Sequence, residues 1–153
     1  MELILALAGL GLGIAILVVV WVVVHKGLPP GRHDLLSLPE RIREYLTGLA
    51  RRRGTITYGD LAKALEVQPP NTIRQVADAL EVLMRQDHGN GAPFLAAMVI
   101  SKVRNGLPAP TFFSFACSLG RFRGSDTGPE TQAYHAGELK SAWDYWGRLD
   151  NRF

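Results

Sequence analysis

The chain has no charged residue between Leu3 and Val24, one cysteine in 153 residues, and no internal repeat or low-complexity tract. Each absence excludes something. Cys117 alone cannot close an internal disulfide, which suits a reducing compartment. The four histidines, His25, His33, His88 and His135, are scattered, with no metal-ligand spacing alongside Cys117, so neither a metal nor another cofactor is expected. Ser101 and Lys102 are adjacent, and adjacent side chains on a strand point to opposite faces, a poor arrangement for a nucleophile and its base. Asp87-His88, the other acid–base candidate, falls at a helix end before Gly89-Asn90-Gly91, where polar residues are expected anyway. No catalytic residue emerges, and the expectation is a protein that is not an enzyme. Charge is also modest. With Glu2 set aside, 17 Lys and Arg face 13 Asp and Glu, a balance too small to argue for nucleic acid by itself.

The uncharged stretch is itself the most informative feature. LILALAGLGLGIAILVVVWVVV, residues 3–24, is 22 residues long. As a helix it reaches about 33 Å, enough for a hydrocarbon core about 30 Å thick. A cleaved secretory signal has a basic start, a shorter apolar core and a small-x-small cleavage site. Here Glu2 precedes the run and VVVHKGLPP closes it. The sequence therefore predicts an uncleaved transmembrane anchor over 1–26, in contact with the lipid bilayer through residues 3–24.

Lys26, Arg32, Arg41 and Arg43 follow the span, and only Glu2 precedes it. Basic flanks stay on the inner side. A single-pass protein of the bacterial inner membrane is predicted, with its amino terminus outside and its carboxy-terminal domain cytoplasmic. Lys26 and Arg32 would then meet anionic headgroups. Gly9 and Gly13 lie one turn apart and would let a second helix approach closely, which offers a route to a homo-oligomer.

Residues 27–36, with Gly27, Pro29, Pro30 and Gly31, read as an irregular linker. The domain then runs from 37 to 150. Ser37, Pro39 and Glu40 form a helix start, and Ile42, Tyr45, Leu46 and Leu49 recur at helical spacing up to Arg53-Gly54. Thr55-Ile56-Thr57 reads as a short strand. A second helix carries Leu61, Ala62 and Leu65 and is broken by Gln68-Pro69-Pro70. Asn71 is the expected cap of a third helix, whose stripe is Ile73, Val76, Ala77, Leu80, Leu83 and Met84. Phe94 to Val103 has strand length, and Asn105-Gly106 signals a hairpin turn. A last amphipathic helix from about residue 129 presents Leu139, Ala142, Trp143, Trp146 and Leu149 on one stripe.

That order is the order of a winged helix. The expected class is α+β: one N-terminal transmembrane helix, then a winged-helix-like domain of three helices, a short strand and a β-hairpin, with C-terminal helices. GTITYGDLAKAL, Gly54 to Leu65, resembles the start of the DNA-binding domain of alkylguanine-DNA alkyltransferases. Those enzymes carry their reactive cysteine in a Pro-Cys-His-Arg motif, whereas Cys117 sits in SFACSLG, so alkyl transfer is not implied. Y-x-D-L-A, P-F-L-A-A-M-V-I-S-K-x-x-N-G-L-P, T-F-F and W-x-Y-W together resemble a winged-helix-type domain of assorted bacterial proteins. That resemblance implies a fold and no activity.

In a winged helix the third helix reads the groove. Asn71, Thr72, Arg74 and Gln75 would then face DNA, with Lys102 and Arg104 on the wing. Asp78, Glu81 and Asp87 on the same helix would oppose a phosphate backbone. Trp143 and Trp146 offer the alternative, a docking face for a protein, because tryptophan is enriched in binding hot spots. The sequence thus supports a membrane-anchored, non-catalytic macromolecule-binding protein whose partner is DNA or a protein. In the second case it serves as an accessory subunit of a membrane complex.

Overall fold

The Ser37-x-x-Glu40 start forms as the sequence expects. The Glu40 carboxylate accepts from the Ser37 backbone N–H at 2.8 Å and from its hydroxyl at 2.6 Å. These bonds hold the Glu40 carboxyl below the usual carboxylate range. Helix α1, Leu38–Arg51, comes next and buries Ile42, Leu46, Leu49 and Ala50. The computed structural model describes residues 35–149.

Strand β1 is only Ile56–Thr57. The Thr57 hydroxyl accepts the Asp60 N–H at 3.1 Å and so starts α2, Tyr58–Ala64. A turn leads to α3, Thr72–Gly89, which buries Val76, Ala79, Leu80, Leu83 and Met84. Asn71 stands at the N-cap in the left-handed region (φ 59°), but its side chain makes no capping bond. The turn is fixed instead by Gln75, whose Nε2 donates to Gln68 O at 2.8 Å and Pro70 O at 2.7 Å.

The apolar run after α3 departs from its expected strand. Leu95–Met98 winds as one 3₁₀ turn, wholly buried, and only Val99–Ile100 is extended as β2. A short apolar run buried on all sides has no periodicity by which strand and helical turn can be told apart. β2 pairs in parallel with β1, Ile56 against Val99 and Thr57 against Ile100.

The Asn105-Gly106 turn does form. Both residues have positive φ, 49° and 84°, Leu107 N–H reaches Arg104 O at 3.0 Å, and Ser101 N–H reaches Leu107 O at 2.8 Å. One rung of a hairpin is therefore present, and then it stops. Pro108 and Pro110 have no N–H to give a ladder, and Pro110 opens a helix, α4, Pro110–Ser118. The expected β-hairpin wing is absent among the described residues. The winged-helix α+β class is corrected to a mostly helical fold with a two-stranded parallel sheet.

The last helix, α5, Pro129–Trp146, begins where the sequence places it and buries Ala142, Trp146, Thr131 and His135. It lies against α1 and the 3₁₀ turn, while α3 lies against α1, α2 and the same turn. The 3₁₀ turn is thus the hub. Leu95, Ala97, Met98 and Val99 have 1% exposure or less, and each large apolar side chain so buried contributes about 1.5–3 kcal/mol.

The transmembrane span expected at 3–24, with Gly9 and Gly13, lies outside the described residues. Among the described residues no helix is long and apolar enough to cross a membrane. The two longest, α3 and α5, have 18 residues each and carry charged side chains along their exposed faces. This conflicts with the expected single-pass inner-membrane placement. That placement is corrected and not carried further, together with its outside amino terminus and cytoplasmic domain.

Candidate functional site

The residues expected to read DNA do not share one role. Arg74 is exposed and pairs loosely with Asp78 one turn on, at 3.9 Å. Thr72 is half-buried and Asn71 exposed at the start of α3. Gln75 is committed to two carbonyls of the turn before it. Arg104 is turned inward: it donates to Pro108 O at 2.9 Å and to Asp126 O, pairs with the Asp126 carboxylate, and lies 5.6 Å over the Phe113 ring. Lys102 stays exposed.

The tryptophans are fasteners between elements. Trp146 is 8% exposed and donates its indole N–H to Pro93 O at 2.9 Å, with the Arg43 guanidinium 5.0 Å over its ring. Trp143 is half-buried and donates to Gly54 O at 3.0 Å. Neither presents a free indole N–H. The outward aromatic on α5 is Tyr145, 42% exposed.

The candidates for chemistry are similarly engaged. Asp87 is fully buried, accepting from Arg43 at 2.8 Å and from Leu95 N–H at 3.0 Å, while neighbouring His88 is exposed. Burial pushes the Asp87 carboxyl up, and the Leu95 amide and Arg43 guanidinium oppose that push. Cys117 is half-buried, its Sγ 3.9 Å from Gly124 O. No group of three or more metal-ligating side chains is found among the described residues.

What the fold does assemble is a groove of about 360 Å³ where α2, the start of α3 and the end of β2 meet. Its floor is apolar: Tyr58, Ile73, Ala77, Ile100 and Ala109. The Tyr58 hydroxyl accepts the Ala109 N–H at 3.2 Å, and burial pushes its pKa up. The groove therefore rests on a fixed wall. Its rim carries Asp60, Lys63, Ser101 and Lys102. Asp60 is already occupied, accepting the Thr57 hydroxyl at 2.7 Å. That bond, together with the charges of Lys102 and Lys63, holds its carboxyl below the usual range.

The sequence misplaces Ile73, and also Leu149, which is 38% exposed and falls beyond the end of α5. Ile73 continues the spacing of Val76, Leu80 and Leu83, yet it is 57% exposed while Val76 is fully buried. It lies in the first turn of α3, among the residues that line the groove. A larger concavity, about 510 Å³, is lined by Glu44, Thr47, Gly48, Arg51 and Leu149. It has one apolar side chain, so it lacks the floor that makes the first groove a binding candidate.

No known protein family, curated protein or solved structure matches the chain.

Proposed function

We propose that this chain is a non-catalytic binding domain whose partner is another protein, docked in the groove between α2 and α3. The observation that carries the reading is Ile73, a branched apolar side chain 57% exposed over an apolar floor of fixed geometry. Such surface is costly to leave in water, at about 25 cal/mol per Å², and a well-formed apolar concavity with a few polar groups at its rim is the default binding-site candidate. Two expected DNA contacts, Gln75 and Arg104, are spent on backbone carbonyls. Asp60 and Asp78, both exposed, flank the same face and would repel a phosphate backbone. These placements favour protein over nucleic acid.

The test has two arms on the full chain. Fluorescence anisotropy with random duplex DNA at low salt is expected to show no binding tighter than about 100 μM, the weak limit for non-specific binders. A photo-crosslinking side chain at position 73 is expected to give one discrete protein adduct, with none from position 123, an exposed site that does not line the groove. Tight, salt-dependent duplex binding lost on neutralising Arg74 and Lys102 would overturn the reading. So would equal crosslinking from both positions.

A further inference from the structure

The rim of the groove says what kind of segment fits it. Lys63 and Lys102 are both exposed among the residues that line it, one on α2 and one just past β2. Neither makes an ion pair among the described residues, though both charges reach Asp60, the one rim carboxylate, which is also bonded to Thr57. The apolar seat at Ile73 and Tyr58 therefore has a rim on which positive charge outweighs negative, two ammonium groups to one carboxylate. We infer that its occupant is a short protein segment that places a branched or aromatic apolar side chain on Ile73 and flanking carboxylates against Lys63 and Lys102. This rests on the docking reading above and adds the chemistry of the partner.

The openness of the site argues for a segment of chain over a small molecule. Sites for small ligands enclose about 70–90% of the ligand surface, and Ile73, in the floor itself, is more than half exposed. A ligand lying there is covered on one side only. A chain segment tolerates that, because the rest of its protein covers the other side. Charge sets which segments are accepted. A basic segment would meet two ammonium groups at close range, and like charges so placed discriminate between partners by repulsion.

Short random peptides displayed on phage, panned on the immobilised full chain with Ile73→Glu as the counter-selection, test this directly. The expected winners carry one bulky apolar residue flanked by Asp or Glu. As synthetic peptides they should bind the Ile73→Glu chain about tenfold more weakly or worse, since one buried aliphatic side chain is worth at least that. The Lys63→Glu/Lys102→Glu chain should lose them by about tenfold and take up basic-flanked peptides instead. Both sites are exposed, and unchanged thermal midpoints would show that the variants fold. If no peptide distinguishes the wild-type chain from Ile73→Glu, the docking reading falls and this inference with it. If winners depend on Ile73 but carry neutral or basic flanks, docking stands and the acidic-segment inference is overturned. If the wild-type chain is a dimer in sedimentation and Ile73→Glu is a monomer, a second copy fills the groove, which also overturns it.

Discussion

Arg43 on α1 and Asp87 on α3 form a 2.8 Å ion pair whose acid is wholly buried and whose base is 27% exposed. The carboxylate is shared: its other oxygen accepts the Leu95 N–H at 3.0 Å, and the Asp87 backbone carbonyl accepts Ala92 N–H at 2.8 Å. One residue at the end of α3 therefore fixes both the crossing of α1 and the entry into the 3₁₀ hub. Arg43→Met would leave a buried carboxylate with a single amide donor. Removing one partner of a buried pair costs about 3–5 kcal/mol, because the other is left as an uncompensated buried charge. Chemical denaturation should show Arg43→Met far less stable than Arg43→Met/Asp87→Asn, which removes that charge and keeps an amide oxygen to accept the Leu95 N–H. The single variant should recover part of its loss in acid, because a carboxyl whose folded pKa is raised gains folded stability as pH falls towards it. Equal losses in the two variants would refute the pairing.

His135 supplies an opposite pH dependence. It is 5% exposed, and its Nε2 meets the Ala97 carbonyl at 2.8 Å; a carbonyl only accepts, so this nitrogen carries the proton. The Phe112 ring packs edge-on at 6.4 Å. Burial lowers the His135 pKa, and the Ala97 bond and Glu138 charge only partly oppose that. A histidine held neutral in the fold contributes stability above its ordinary pKa of about 6.5 and loses it as pH drops through that value. His135→Gln keeps a donor near the Nε2 position and removes the titration. The thermal midpoint of the wild type should fall between about pH 7.5 and 5, and that of His135→Gln should fall less over the same window. Parallel curves would assign the acid lability elsewhere.

Helices are legible in this sequence, and the partners of helices are not. Ser37 and Glu40 announce α1 because a capping box is local chemistry, and Gly89-Asn90-Gly91 ends α3 for the same reason. The Asn105-Gly106 turn is legible too, but the path of the chain beyond it depends on Pro108 and Pro110, whose veto on a return strand outweighs the turn signal. Phe94 to Val103 reads by length as a strand because complete burial erases periodicity, and only the parallel pairing with Ile56-Thr57, more than forty positions earlier, shows its role. The groove is less legible still. Ile73 has the spacing of a core residue, and its exposure depends on where other elements stop covering α3. Lys63 and Lys102 become neighbours of one site only through the fold.

Gln75 separates a structural from a recognition role. Its two bonds to Gln68 O and Pro70 O join the Gln68 bond to Glu66 O and the Arg41 bond to Leu65 O in holding the α2–α3 turn together. Gln75→Ala should lower stability by about 1–2 kcal/mol, near the net worth of two ordinary hydrogen bonds. Gln75→Glu should do the same, because a carboxylate cannot donate to either carbonyl. A residue that only contacted a ligand would leave the thermal midpoint unchanged in both variants.

Gly147, just past the end of α5, lies against Ala50 at the end of α1. Its φ is −68°, which any residue adopts, so conformational freedom is not what requires glycine here. The requirement is space. A Cβ at this position would lie 2.6 Å from Trp143 O and 3.2 Å from Ala50 O, and both are backbone atoms that no rotamer change can move. Gly147→Ala must therefore distort the last turn of α5, whose own Trp143 carbonyl is the nearer clash, as well as press on Ala50 of α1, and so strain the Trp143 bond to Gly54 O and the Trp146 bond to Pro93 O. Overpacking of this kind costs about 1–3 kcal/mol. Gly137→Ala is the control, because a Cβ there meets nothing within 4 Å, and in mid-helix alanine gains about 0.5–1 kcal/mol over glycine. Thermal denaturation should move the two variants in opposite directions, and indole fluorescence should shift to the red in Gly147→Ala alone. A Gly147→Ala chain as stable as wild type, with unchanged fluorescence, would show that the backbone around Gly147 is looser than these distances require.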